Sequence, residues 1–224
     1  MTRAAASILF DLDGTLADTA PDLALALNNV LAEQGLPPLP LAQVRPAASH
    51  GAMAMLRVAM PHTPDETLLP LRDRFIFHYR ANLVRHTTLF PGTLDMLTAL
   101  ERCGLTWGIV TNKVAHLTEP LLEALNLRHR AACVVCGDTT AHAKPHPAPL
   151  LHACDLLGCD PADTVYVGDS SNDVEAARRA GMRVVVASYG YMDGTDNPKQ
   201  WAPDLIIDCP ADLLAWDGLG AIRQ

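Results

Sequence analysis

The chain has 224 residues, with 25 acidic side chains against 17 basic ones and a formal net charge of −8. That balance argues against a protein that grips nucleic acid through its phosphates, work that takes basic clusters. With 49% hydrophobic and 19% charged residues the chain reads as globular rather than disordered, and no apolar run approaches the roughly 20 residues that span a bilayer.

In chain order, the first apolar run, Ile8–Phe10, predicts a strand. The residues before it carry one Arg and small side chains without a secretory apolar segment, so the expected location is the cytoplasm. From Leu16 to Leu89 the pattern is helical, with no convincing strand. Helices are expected over Pro21–Gln34 (Leu23, Leu27, Val30 and Leu31 in step, ended by Gly35 and Pro37-Pro38), Met53–Met60 and Leu68–Leu83. Phe90-Pro91-Gly92 marks a return. Beyond it, strands are expected at Trp107–Thr111, Cys133–Cys136, Thr164–Val167, Arg183–Ala187 and Leu205–Ile207. They alternate with helices near 93–103, 117–126, 147–157, 173–180 and 211–216. This alternation predicts βαβ units on a parallel sheet, and the unbroken Val184-Val185-Val186 suits a sheet covered on both faces. The predicted class is α/β. A Rossmann-like, doubly wound parallel sheet is formed by residues 1–15 and 89–224, with an all-helical second domain inserted at 16–88.

Of the 25 acids, 19 are Asp and only six are Glu, so the position of the Asp residues carries information. Asp11 and Asp13 follow the first strand directly; Asp169 and Asp173 follow a later one. In a parallel sheet both pairs stand at the carboxyl edge, where open α/β folds bind ligands. Such clusters repel unless a cation lies between them, and a hard, oxygen-liganded ion such as Mg²⁺ is the expected cofactor. Thr111-Asn112-Lys113 follows the strand at 107, offering donors to phosphate oxygens. Lys144-Pro145 precedes the helix at 147, and its ammonium can neutralise a phosphate.

These four segments, Asp11-Leu12-Asp13-Gly14-Thr15, Thr111-Asn112-Lys113, Lys144-Pro145 and Gly168-Asp169-Ser170-Ser171-Asn172-Asp173, resemble in order the four motifs of the haloacid dehalogenase superfamily. The helical insert resembles the cap of its phosphoglycolate phosphatase group. The resemblance implies a phosphatase acting on a small-molecule phosphate monoester. Asp11 is then the nucleophile that forms an aspartyl-phosphate, and Asp13 the acid and base. Asp11, Asp169 and the Asp13 carbonyl hold Mg²⁺, with Asp173 behind them. Thr111, Asn112 and Lys144 cradle the phosphoryl group. An acid at Asp13 argues for phosphoryl transfer, since a halide leaving group needs no proton. Substrate choice is expected from the cap residues Arg45, Ser49, His50 and Gly51, with Arg57 a further candidate.

Ser49-His50-Gly51, Tyr189-Gly190-Tyr191 and Asn197-Pro198 with Trp201 are also similar to N-acetylmuramic acid 6-phosphate phosphatases, which keeps that substrate and other sugar phosphates as an alternative. A non-catalytic phosphate-binding module on the same fold is the alternative of another class; it predicts a missing nucleophile or acid, whereas Asp11 and Asp13 are both present. No nucleic-acid or membrane partner is expected, and the chain is expected as a monomer or homodimer. Cys133-Val134-Val135-Cys136 reads as two small thiols in a strand-like run rather than a redox pair.

Overall fold

A computed structural model describes residues 7–192 and 197–219. The outer ends of the expected core, 1–6 and 220–224, and the segment 193–196 lie outside the described residues. Six parallel strands form one sheet: β1 (Ser7–Phe10), β4 (Thr106–Val110), β5 (Val134–Val135), β6 (Thr164–Gly168), β7 (Arg183–Ala187) and β8 (Leu205–Ile207), in the order β5-β4-β1-β6-β7-β8. The chain builds outward from β1 to one side through β4 and β5, then crosses over and builds through β6, β7 and β8. The topological switch lies at β1, where such folds place their sites.

Alternation along the strands explains the layers. Ile8 and Phe10 of β1 join Val165 and Val167 of β6 and Val185 and Ala187 of β7 in one apolar layer. Leu9, Tyr166, Val184 and Val186 point to the other. Both faces are apolar because both are covered. Helices α5 (Thr93–Arg102) and α6 (Ala115–Ala124) pack on the first face through Leu97, Leu100, Leu121 and Leu122. Helices α7 (Ala148–Leu157) and α8 (Ser171–Arg179) pack on the second through Leu150, Ala153, Val174 and Ala177. The segment expected as a helix near 211–216 is a 3-10 helix, Pro210–Ala215.

Between β1 and β4 stand α1 (Ala20–Glu33), α2 (Leu41–Val44), a 3-10 turn (Arg45–His50), α3 (Gly51–Ala59) and α4 (Asp65–Ala81). They share an apolar core of their own, including Leu27, Val30, Leu31, Met55, Leu56, Leu68 and Phe75. The short α2 and the 3-10 turn were not legible in the apolar pattern, since neither runs long enough to show a period. A second difference is a two-stranded antiparallel ribbon, β2 (Ala17–Asp18) with β3 (Thr88–Leu89), where no strand was expected. Two residues a side give no alternation to read. This ribbon is where the chain enters and leaves the helical insert.

The insert is fastened beside the ribbon. Asp22 in the first turn of α1 is fully buried, and its carboxylate accepts the backbone N–H groups of His86 and Thr87 and the Thr87 hydroxyl, at 2.7–3.0 Å. All six cysteines are free thiols; Cys133 and Cys136 are buried, and burial pushes the Cys133 thiol up to about 11. A thiol held neutral in this way is a poor nucleophile, which fits a packing role.

Candidate active site

Asp11 leaves the end of β1, with its backbone N–H donating to Val167 O of β6 at 2.8 Å. Its Oδ1 accepts the Leu12 N–H at 2.8 Å and pairs with Lys144 Nζ at 2.9 Å. Its Oδ2 has no hydrogen bond among the described residues. A cavity of about 350 Å³ opens here. The sheet edge contributes Asp11, Asp13, Thr111 and Lys113 to its wall, and the helical insert contributes Ser49, His50, Gly51, Phe75 and Tyr79.

Lys144 is the charge hub. Its ammonium is buried and lies 2.8 Å from Asp173 Oδ1, 2.9 Å from Val110 O and 2.7 Å from the Tyr166 hydroxyl. Asn112 explains how Lys144 is aimed. The Asn112 amide donates to Lys144 O and its Oδ1 accepts the Lys144 N–H, both at 2.9 Å. The side chain of Asn112 therefore positions Lys144, leaving its backbone N–H as the group that can face a phosphate. Thr111 is buried in the cavity wall, and its hydroxyl accepts the Lys113 N–H at 3.1 Å.

Asp13 turns away from this hub. Its Oδ1 pairs with Lys113 Nζ at 2.6 Å and accepts the Thr19 hydroxyl. Each acid of the Asp-x-Asp pair thus has its own lysine, from a different strand end.

Asp169 follows β6. Its Oδ1 accepts the Thr15 hydroxyl at 3.1 Å; its Oδ2 accepts the Ser49 hydroxyl at 3.0 Å and the Tyr191 N–H at 2.9 Å. Gly14 has φ +84°, and a Cβ there would sit 2.3 Å from Asp169 Oδ2. Only glycine permits both the left-handed turn and this approach. Asp173 caps α8 reciprocally with Ser170, whose N–H it accepts at 3.0 Å. Ser170 is the N-cap of that helix.

Crowding of carboxylates sets their proton affinity. Burial pushes the Asp11 carboxyl up to about 8; Lys144 opposes this, and the charges of Asp173 and Asp169 add to it. Burial and the Asp173 charge push Asp169 up to about 7, against its bonds from Tyr191, Ser49 and Thr15. Asp173 is equally buried, yet the Lys144 ammonium and Ser170 hold it below the usual range.

One carboxylate oxygen from each of Asp11, Asp169 and Asp173 lies within 4.8 Å of the other two, the only such group of metal-ligating side chains among the described residues. Hard oxygen donors converging at this spacing fit a divalent cation such as Mg²⁺. The oxygens of Asp173 are already engaged by Lys144 and Ser170. The Asp13 carboxylate is not in the group, so only its backbone carbonyl is left for a metal.

The candidates from the helical insert divide. Ser49, His50 and Gly51 line the cavity. Arg45 does not: it pairs with Asp18 at 3.0 Å and lies over the Tyr191 ring at 5.1 Å. Arg57 pairs with Asp65 at 2.8 Å on the exposed surface. Sequence reading missed the partner roles of Lys113, Thr15, Tyr166 and Tyr191. Lys113, Thr15 and Tyr191 stood inside motif segments already singled out and Tyr166 did not; the partners of all four are brought in by the fold.

The profile of the haloacid dehalogenase-like hydrolases matches residues 8–187, which include all of these sheet-edge residues. The chain belongs to this family. The hydrolase is 45% identical to a phosphoglycolate phosphatase of Xanthomonas campestris pv. campestris over 94% of this chain and 96% of the relative. It is 39% identical to an N-acetylmuramic acid 6-phosphate phosphatase of Pseudomonas putida over 92% of this chain and 93% of the relative. Among solved structures, a predicted phosphoglycolate phosphatase from Haemophilus somnus superposes with a TM-score of 0.86 at 33% identity, covering 96% of this hydrolase and 99% of that chain.

Proposed function

We propose that this hydrolase is a Mg²⁺-dependent phosphatase that cleaves a small-molecule phosphate monoester through an aspartyl-phosphate on Asp11, with 2-phosphoglycolate as its substrate. The single observation that carries the reading is Asp11. One of its oxygens is fixed by Leu12 and Lys144, the other has no hydrogen bond among the described residues, and Asp11 lines the cavity. A carboxylate held by one oxygen presents the second as a nucleophile.

Asp11, Asp169 and the Asp13 carbonyl would hold the cation, which supplies charge neutralisation between a carboxylate nucleophile and a phosphate. Lys144 holds Asp11 in line and keeps positive charge beside the transferring group. Thr111 and the Asn112 N–H stand on the same wall to receive phosphate oxygens. Asp13 protonates the leaving alcohol and afterwards takes a proton from the attacking water. The helical insert acts as a cap: Ser49, His50 and Gly51 close over the leaving group and keep bulk water out.

The substrate follows the phosphoglycolate phosphatase relative. A second reading, N-acetylmuramic acid 6-phosphate or another sugar phosphate, is favoured by one observation: about 350 Å³ of cavity is more than a two-carbon acid needs. The enzyme is read as cytoplasmic, monomeric or dimeric, and independent of nucleic acid and membrane. Its net charge of −8 argues against a grip on nucleic-acid phosphates; among the described residues no helix is long and apolar enough to cross a membrane.

The test is a panel of phosphate monoesters, including 2-phosphoglycolate, N-acetylmuramic acid 6-phosphate and common sugar phosphates, with and without Mg²⁺. Mg²⁺-dependent release of phosphate, abolished by Asp11→Asn, supports the reading. Metal-independent turnover, or full activity of Asp11→Asn, contradicts it.

A further inference from the structure

Tyr79 belongs to α4 of the helical insert, yet it meets the sheet edge. Its side chain is 1% exposed. Lys113 Nζ lies over its ring, 4.8 Å from the centroid. The same ammonium holds Asp13 Oδ1 at 2.6 Å. The Tyr79 hydroxyl is buried and makes no well-aligned hydrogen bond among the described residues, although the Lys113 ammonium lies close enough to act on it; the aligned contact that ties Tyr79 to the site is the ring against the ammonium. Trp, Tyr and Phe faces attract cations most when the pair is out of water, and the Lys113 side chain is only 8% exposed.

We infer that Tyr79 is a positioning residue: from the helical insert it fixes the Lys113 ammonium, and through Lys113 it fixes the Asp13 carboxylate at the leaving-group side of the cavity. This rests on the proposed role of Asp13. The relay has three members from three places in the chain: α4, the loop after β4, and the loop after β1. A Lys ammonium alone is a flexible point charge on a four-carbon stem. With one side against a ring and the other against a carboxylate, it has a single resting place. The acid is thereby set when the insert is seated on the core. Thr19, at the foot of α1, holds the same Asp13 oxygen from the ribbon side. The insert therefore reaches this carboxylate by two routes.

A positioned acid matters most when the leaving group is poor. An alkoxide must be protonated as it departs, whereas a dinitrophenolate leaves without help. The readout is the ratio of kcat/KM for 2,4-dinitrophenyl phosphate to kcat/KM for a simple alkyl phosphate, which reports transfer to Asp11 and not the later hydrolysis common to both, measured on the full chain with Mg²⁺. Tyr79→Leu removes the ring face and is expected to raise this ratio about tenfold, the scale of a misplaced catalytic group. Tyr79→Phe keeps the ring face, loses only the hydroxyl, and is expected to stay within twofold of the parent ratio. A merely structural role would lower both rates together and leave the ratio unchanged.

Asp13→Asn serves as the reference. If it fails to raise the ratio, the acid role of Asp13 falls, and this inference with it. If Asp13→Asn raises the ratio while Tyr79→Leu does not, Asp13 stands and the role of Tyr79 is overturned. A ratio raised equally in Tyr79→Phe and Tyr79→Leu also overturns it, since the ring would then not be the positioning element. Should Tyr79→Leu fold poorly, Tyr79→Met in its place, checked by thermal unfolding, gives the same reading.

Discussion

The Lys144 ammonium pairs with the Asp11 carboxylate at 2.9 Å, and its side chain is only 2% exposed. The same ammonium pairs with Asp173 at 2.8 Å. Removing one partner of a buried ion pair leaves uncompensated charge and costs about 3–5 kcal/mol. Lys144→Met is therefore expected to lower the free energy of unfolding at pH 7.5 by about 3 kcal/mol. Activity should fall at least about a hundredfold, because Asp11, the proposed nucleophile, loses the group that aims it. Chemical denaturation and phosphate release measure the two effects separately.

Proton linkage gives a second expectation. In the metal-free protein Asp11 sits at about 8 and Asp169 at about 7, both above the usual carboxylate value of 3.8. Between pH 5 and pH 8 the folded protein thus holds protons that the unfolded chain has lost. Stability must then fall as pH rises through this window. Carboxylates held low, such as Asp173, act in the opposite sense only at more acidic pH. A cation favours the ionised carboxylates, so the gain in Tm on adding Mg²⁺ should be larger at pH 8 than at pH 6. Calorimetry with and without Mg²⁺ at both pH values checks the sign; Asp11→Asn should flatten the slope.

Asp22 predicts a loss of stability away from the site. Its carboxylate satisfies two backbone N–H groups and one hydroxyl of residues 86 and 87. Asp22→Ala orphans those donors next to the ribbon, at an expected cost of about 2–4 kcal/mol. The change should appear in urea denaturation, while the ranking of substrates stays the same.

Arg45 and Ser49 separate fastening from recognition. Arg45 is part-exposed and turned to Asp18 and Tyr191; Arg45→Ala should cost no more than about 1 kcal/mol and leave substrate preference unaltered. Ser49 lines the cavity and bonds Asp169. Ser49→Ala should weaken Mg²⁺ binding severalfold, as loss of a group that orients a ligand does. Calorimetric titration of Mg²⁺ into both variants distinguishes them.

Much of this site was legible before the fold was known. Asp11, Asp13, Thr111, Lys144, Asp169 and Asp173 each follow a strand that its own apolar run announces, and a parallel sheet collects such positions at one edge. The strands were readable because burial on both faces makes them continuous, as in Val184-Val185-Val186. The ribbon was not readable, because pairing across Ala17–Leu89 and Asp18–Thr88 spans a separation that no local pattern records. Arg45 was expected among the residues that set substrate choice for the same reason: its partners, Asp18 and Tyr191, are local neither to it nor to each other. Asn112 shows a finer limit. Its place at the site was legible, but not that its amide would be committed to the backbone of Lys144.

Asp11 is the proposed carrier of the phosphoryl group. Rapid acid quench of the enzyme turning over a phosphate monoester with Mg²⁺, followed by peptide mass analysis, tests it directly. One phosphoryl group is expected on the peptide containing Asp11, lost when Mg²⁺ is withheld and absent in Asp11→Asn. Steady turnover with no phosphoryl group trapped on that peptide, or with the group on another residue, would contradict it.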